Sequence, residues 1–275
     1  MRLATIRRGG TTAAVRVEGT TAVETGHPDV GALLRDGGLD AAAAADGARH
    51  DFGTAEVAPV VPTPGKIICI GLNYRNHILE MGRDLPQHPT LFAKYAEALI
   101  GAGDEIQLPP ESDKVDWEGE LAVVLGRRVR RASADEARAA IAGYSVLNDV
   151  TMRDYQYRAP QWLQGKTWEN STPLGPVLAT PDEVPSDAAL VTRVDGDEVQ
   201  RTTIDDLVFD PVELVRYLST IVTLSPGDVI ASGTPGGVGH ARTPARYLSA
   251  GQTLTTSVDG IGELVNVAAT ERVPE

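Results

Sequence analysis

Asp116-Trp117-Glu118-Gly119-Glu120-Leu121-Ala122-Val123-Val124 runs from an acidic cluster straight into an apolar segment, and everything else in the chain is best read outward from it. The segment predicts a strand beginning near Leu121, and side chains two apart on a strand point the same way, so Glu118 and Glu120 share one face. Two ionised carboxylates held that close repel. Unless water separates them, they need a cation between them or a raised pKa. Taken alone, an E-x-E is more often the solvated face of an edge strand. A second acid changes the balance: Asp149 comes late in Tyr144-Ser145-Val146-Leu147-Asn148-Asp149-Val150, where a charge after mostly apolar positions has either left the core or entered a site. Three carboxylates without a neighbouring His or Cys pair suit Mg²⁺ or Mn²⁺ better than Zn²⁺. A six-coordinate ion held by three ligands keeps about three positions for water or substrate.

Around this stretch, short β-type runs recur at Lys66 to Gly71, Leu121 to Leu125, Tyr144 to Val150, Leu190 to Val194, Val229 to Ser232, Thr253 to Val258 and Glu263 to Ala268. Asp195-Gly196-Asp197 and Asp259-Gly260 are hairpin signals, and Ser225-Pro226-Gly227-Asp228 is a tight-turn signal. Two helices have start signals: Ser133 with Glu136 forms a capping box before Ala137 to Ile141, and Pro211 suits the first turn of Val212 to Val222. The expected class is α+β, predominantly β, with antiparallel or mixed connections. Residues 1–58, rich in Ala, Gly, Thr and Asp, read as a small N-terminal accessory region. Pro59-Val60-Val61-Pro62-Thr63-Pro64-Gly65 reads as a linker because its three prolines disfavour both helix and central strand, leaving 66–275 as the catalytic domain.

With 25 Lys plus Arg against 38 Asp plus Glu, the formal charge of -13 repels nucleic acid and anionic lipid. An acidic metabolite can still bind where a metal or a local basic cluster reverses the sign. The one cysteine, Cys69, lies in an apolar run and reads as a buried strand thiol. Nowhere do about 18 apolar residues run together, so no membrane partner is expected and a reducing cytoplasm fits best.

Other candidates surround the acids. Lys166, one of four lysines, follows Gly165, which permits close backbone approach. Arg153 and Gln156 lie three apart and would share a face on one helical turn, where either could grip a substrate carboxylate. Ser232-Gly233-Thr234-Pro235-Gly236-Gly237-Val238-Gly239 follows a strand and could bind an anion through backbone amides, but it lacks the P-loop Gly-Lys-Ser/Thr and the GxGxxG spacing. His77 and Glu80, three apart, could pair as a water-activating general base, although an isolated His-x-x-Glu is more often a surface helix pair.

Taken together, from about residue 65 to about residue 272, these segments resemble the fumarylacetoacetate hydrolase family. The resemblance rests on Gly71-Leu72-Asn73-Tyr74 with His77 and Glu80, Pro89 to Lys94, Trp117 to Glu120, Asn148 to Asp154, Gly165-Lys166-Thr167, Leu174-Gly175-Pro176, Leu224 to Ile230 and Gly233 to Gly239, in that order. It implies a mixed β-roll with a few helices and a homodimer. It also implies metal ligands Glu118, Glu120 and Asp149, catalytic His77, Glu80 and Lys166, and substrate contacts from Arg153, Gln156 and Thr234, with Tyr74 and Gly233 from the same segments. The implied substrate is a small anionic 2-oxo acid of the acylpyruvate type, cleaved by water to pyruvate and a carboxylic acid. Oxaloacetate-type decarboxylation and dienol-to-ketone isomerisation are the alternatives on the same site. Thr167-Trp168-Glu169-Asn170 departs from the family pattern and would place an indole near the pocket, and Leu72 stands where some members carry arginine. A non-catalytic binding protein is a rival from another class, which a complete acid set argues against. Zinc hydrolase chemistry is weaker still, because no histidine pair has ligand spacing.

Overall fold

The computed structural model describes residues 1–80, 82 and 84–272; the side chain of Glu80 is outside the described set. One mixed sheet of 11 strands forms the body. Its centre is the strand Gly119–Leu125, paired antiparallel on one side with Ile141–Asn148 and on the other with Val229–Ala231. Val229–Ala231 pairs parallel with Ile67–Gly71, and Thr90–Lys94 closes that edge. All seven residues of Gly119–Leu125 are buried, which explains why it reads as a continuous apolar run.

Towards the other edge the order continues through Thr172–Ala179 to Arg2–Arg8, Thr11–Glu18, Thr21–Glu24 and Arg49–Asp51. The N-terminal region is therefore an extension of the main sheet, joined where Arg2 and Leu3 pair with Ala179 and Leu178. The segment expected as a linker is also structural. Val60 and Val61 are fully buried in the cluster that holds Leu3, Leu33, Cys69, Leu147 and Leu174. Its prolines exclude regular structure, as expected, but its valines contribute apolar surface to the shared core, so the boundary at 59–65 does not separate two bodies.

A second sheet of five strands runs Asp197–Thr203, Ala189–Val194, Thr253–Val258, Gly262–Thr270 and Ile106–Leu108. Asp195 and Gly196 both have positive φ (53° and 86°), the geometry of the two-residue hairpin expected there. The two sheets share a cluster that includes Leu121, Val146, Leu190, Val258 and Leu264. Gly119 lies at their closest approach: a Cβ on it would come within 2.2 Å of Thr192 Oγ1. The helix Ala134–Ala140 carries the full capping box, and Pro211–Ile221 starts at an Asp210 cap with Pro211 in its first turn. No helix among the described residues is long and apolar enough to cross a membrane.

Candidate metal centre and its cavity

Strand register builds the site. Gly119 pairs with Asn148 and Glu120 with Leu147, so Glu118 comes opposite Asp149, whose N–H donates to Glu118 O at 2.8 Å. The Asn148 side chain fixes this corner by accepting from Glu118 N–H and donating to Thr256. Glu118, Glu120 and Asp149 are all buried, and one carboxylate oxygen from each lies within 4.8 Å of the others. The convergence expected from the sequence is present.

Three cations neutralise this corner. Lys166 Nζ bridges Glu118 Oε2 (2.7 Å) and Asp149 Oδ2 (2.8 Å). Lys94 Nζ sits 2.6 Å from Asp149 Oδ1 and also donates to Val150 O. Arg153 pairs through Nε with Asp116 and through Nη1 with Glu118, both at 2.7 Å. Arg153 Nη1 also donates to Gln156 Oε1, confirming that both side chains lie on one turn, Arg153–Gln156. Gly165 lets Lys166 in: a Cβ there would meet Gln156 N at 2.5 Å, so the Leu163–Lys166 turn can stack on Arg153–Gln156 only without a side chain.

The charges do not balance. Asp116, Glu118, Glu120 and Asp149 supply four negative charges against three positive ones from Lys94, Arg153 and Lys166, leaving -1 in a buried volume. The three cations pair with Asp116, Glu118 and Asp149. Glu120 accepts from Gly233 N–H at 2.8 Å. Burial first, and then the charges of Asp149 and Glu118, push its carboxyl well above the ordinary carboxylate range. Burial also opposes ionisation of Asp149, but Lys166 and Lys94 outweigh it and hold the group low. Lys166 is likewise desolvated, yet Asp149 and Glu118 keep it charged. An all-oxygen set with one uncompensated carboxylate fits a hard divalent cation, because each carboxylate oxygen retains lone pairs beyond its present hydrogen bond. Adding +2 would turn -1 into +1, the sign needed to hold a carboxylate substrate.

A cavity of ≈350 Å³ opens beside these groups, bordered by Glu118, Arg153, Gln156 and Lys166 on the charged side and by Phe92 and Trp162 on the apolar side. Thr234 lines it as expected, while its hydroxyl donates to Gly119 O and accepts from Gln200. Arg153 Nη2 is buried without a protein acceptor. His77, on the short helix Arg75–Glu80, also lines the cavity. Asn73 anchors the entry to that helix through bonds to Phe209 and to Ser232 O. The side chain of Glu80, the other half of the expected dyad, lies outside the described residues. A larger groove of ≈880 Å³ at Arg7, Arg8 and His50 is more open and has no comparable acid cluster.

Two expected contacts fall elsewhere. Tyr74 is fully buried among Leu121, Val146 and Leu207 rather than on the cavity wall, because the chain must cross the core to reach the helix. Gly233 presents its N–H to Glu120, supporting a carboxylate of the triad rather than lining the cavity, and its positive φ of 102° brings it against Ile70 O, where a Cβ would come within 2.9 Å. The indole in the cavity is Trp162, lying over Gly71 and edge-on to Phe92. Trp168, expected there, instead packs on Tyr155. Among the residues around the acids, Lys94, Asp116 and Trp162 were not singled out from sequence. Lys94 carried a faint signal as one of four lysines, placed at the end of an apolar strand.

The family model for the fumarylacetoacetate (FAA) hydrolase C-terminal region matches residues 66–269. The chain belongs to the fumarylacetoacetate hydrolase family. The matched span contains all seven charged groups of the buried centre. A mitochondrial oxaloacetate tautomerase of Bos taurus, FAHD2A, is 42% identical over 214 residues, which is 76% of this chain and 68% of the relative. A fumarylacetoacetate hydrolase from psychrophilic Exiguobacterium antarcticum has a structure with a TM-score of 0.88 at 30% identity, covering 98% of this chain and 100% of that one. A maleylpyruvate hydrolase from Sphingobium, solved in complex with manganese(II) and pyruvate, superposes with a TM-score of 0.80 at 27% identity, covering 99% and 100%. Family members thus include hydrolases and tautomerases, and this chain shares their fold and carries a buried acidic triad able to hold a metal.

Proposed function

We propose that this protein is a divalent-metal-dependent hydrolase that cleaves a carbon-carbon bond of an acylpyruvate-type 2,4-dioxo acid, releasing pyruvate and a carboxylic acid. The observation that carries the reading is the uncompensated carboxylate triad beside a half-apolar cavity whose charged side also holds Lys166 and Arg153. Mg²⁺ or Mn²⁺ bound by Glu118, Glu120 and Asp149 would supply a Lewis acid next to the substrate's 2-oxo carboxylate. Arg153 Nη2 is the donor available to that carboxylate. Phe92 and Trp162 pack the carbon chain and exclude water from all but the reacting position. His77 takes a proton from the attacking water, hydroxide adds to the distal carbonyl, and the C–C bond breaks with its electron pair passing to the pyruvate enolate. Lys166, held charged between Glu118 and Asp149, faces the negative charge as it develops. The protonated His77 then returns its proton to the enolate carbon.

A second reading, keto-enol interconversion of oxaloacetate, is favoured by the 42% identical tautomerase. It needs the same triad and lysine but no attacking water. Purified protein with Mn²⁺ should consume acylpyruvates with equimolar appearance of pyruvate, and EDTA should stop it. Absence of pyruvate alongside fast ketonisation of enol-oxaloacetate would replace the hydrolase reading with the tautomerase one.

A further inference from the structure

The cavity has a second polar feature that the proposed chemistry does not use. His240 lies in the turn Gly239–Ala241, which lines the cavity together with Val238. Its backbone N–H donates to Asp116 Oδ2 at 2.9 Å, the same oxygen that accepts from Arg153 Nε, and the neighbouring Gly239 N–H donates to Asp116 Oδ1 at 2.7 Å. One buried carboxylate thus positions both the guanidinium at the triad and the backbone of His240.

The imidazole is fixed as well. Its Nδ1 lies 2.9 Å from Tyr247 Oη, and Tyr157 packs against the ring at a tilted 5.3 Å. Tyr157 directly follows the Arg153–Gln156 turn and itself lines the cavity. An exposed histidine usually keeps its rotamer freedom, whereas this one is held by a backbone bond, a side-chain bond and an aromatic neighbour. In the tautomer in which the phenol donates to Nδ1, the ring carries its proton on Nε2 and offers a donor. The charges acting on the ring are cationic on balance, Arg153 and Lys114 against Asp116. That field favours a negatively charged oxygen.

Resting on the reading of this site as a 2-oxo acid site, we propose that His240, oriented by Tyr247 and Asp116, is a specificity-determining residue that hydrogen-bonds a second carboxylate at the far end of the substrate. The substrates selected are then dicarboxylic 2-oxo acids over monocarboxylic ones of equal chain length. Apolar contacts from Leu72, Trp162 and Val238 serve the intervening carbons, and His240 reads the end group.

The test uses non-reacting probes, so that it is independent of turnover. Binding of 2-oxoglutarate and of length-matched 2-oxopentanoate to the Mn²⁺-loaded full chain is measured by calorimetry. Wild type is expected to prefer the dicarboxylate, and His240→Phe, which keeps a ring between the tyrosines, to reduce that preference by about tenfold, the scale of one hydrogen bond to a charged group. His240→Gln, which retains a side-chain donor, should recover part of it, and Tyr247→Phe should lower it by a smaller factor. A wild type without preference, or without binding of either probe, overturns the proposal. So does a His240→Phe protein whose affinity ratio stays within about twofold of wild type. If the preference behaves as expected while no 2,4-dioxo acid is cleaved, the hydrolase reading fails and the assignment of His240 stands.

Discussion

Glu120→Gln should make the metal-free protein more stable and the metal-loaded protein less so, and the two effects follow from one charge. Glutamine keeps the side chain's shape and an acceptor for Gly233 N–H, so the substitution removes little besides the carboxylate's charge or proton. Burial, then Asp149 and Glu118, raise the Glu120 carboxyl above its ordinary 4.5, so the folded chain binds that proton more tightly than the unfolded chain. The resulting stabilisation is fully present below the unfolded value and is lost as pH rises through the folded one. At pH 8 the metal-free wild type carries either an ionised, unpaired buried carboxylate or a proton held against the solution. Relief of that penalty amounts to about 1–3 kcal/mol, the range over which burial of a polar group is disfavoured in proteins. In a chain of this size 1 kcal/mol moves Tm by roughly 2–4 °C, so EDTA-treated Glu120→Gln should melt about 2–12 °C above wild type at pH 8. The gap should close towards pH 5. Conversely, Mn²⁺ at a hundred times its Kd should add about 2.7 kcal/mol to wild type, roughly 5–11 °C, and much less to the variant. Differential scanning calorimetry at both pH values, with and without Mn²⁺, reads all four numbers. A variant that melts at or below wild type at pH 8, or one that Mn²⁺ stabilises as strongly as wild type, would refute the view of Glu120 as the uncompensated ligand.

Lys166→Met removes the bridge between Glu118 and Asp149 and should cut turnover of a 2-oxo acid by at least about 100-fold, while destabilising the metal-free protein by about 3–5 kcal/mol in denaturant titration. Lys94→Met leaves Asp149 with one cation fewer and should cost a similar 3–5 kcal/mol, roughly, with Mn²⁺ recovering part of it; an unchanged urea midpoint would show that the pair is dispensable. Gly119→Ala forces a Cβ to within 2.2 Å of Thr192 Oγ1 and should destabilise by about 1–3 kcal/mol. Because Thr192 Oγ1 is buried without a partner, Thr192→Ala should be nearly silent alone and should restore part of the loss in the double variant.

The acids were legible because the information that places them is local. Glu118 and Glu120 are two apart at the head of a buried strand, and Asp149 follows directly on the neighbouring strand, so a single antiparallel register brings all three together. Arg153 and Gln156 were legible for the same reason, one helical turn being enough to align them. Lys94 was not, because its partner is reached across the sheet order. Thr90–Lys94 pairs with Ile67–Gly71, a strand whose place in the sheet is set by its parallel pairing to Val229–Ala231, and neither link leaves a trace near residue 94. The place of the N-terminal strands in the main sheet was hidden for the same reason. Leu3, Ala4, Thr5 and Ile6 form a continuous buried run, but that Leu3 meets Leu178 some 175 residues on is decided by which edge of the sheet is open, a property of the assembled fold. The choice between Trp162 and Trp168 turns on still less. The two indoles flank the Leu163–Lys166 turn, and the close approach allowed by Gly165 sends the first into the cavity and the second onto Tyr155. Composition and spacing therefore identify the charges a site will hold, whereas the walls that select its substrate depend on pairings between distant segments. That is why the acidic triad could be named from residues alone, and the cavity-lining His240 could not.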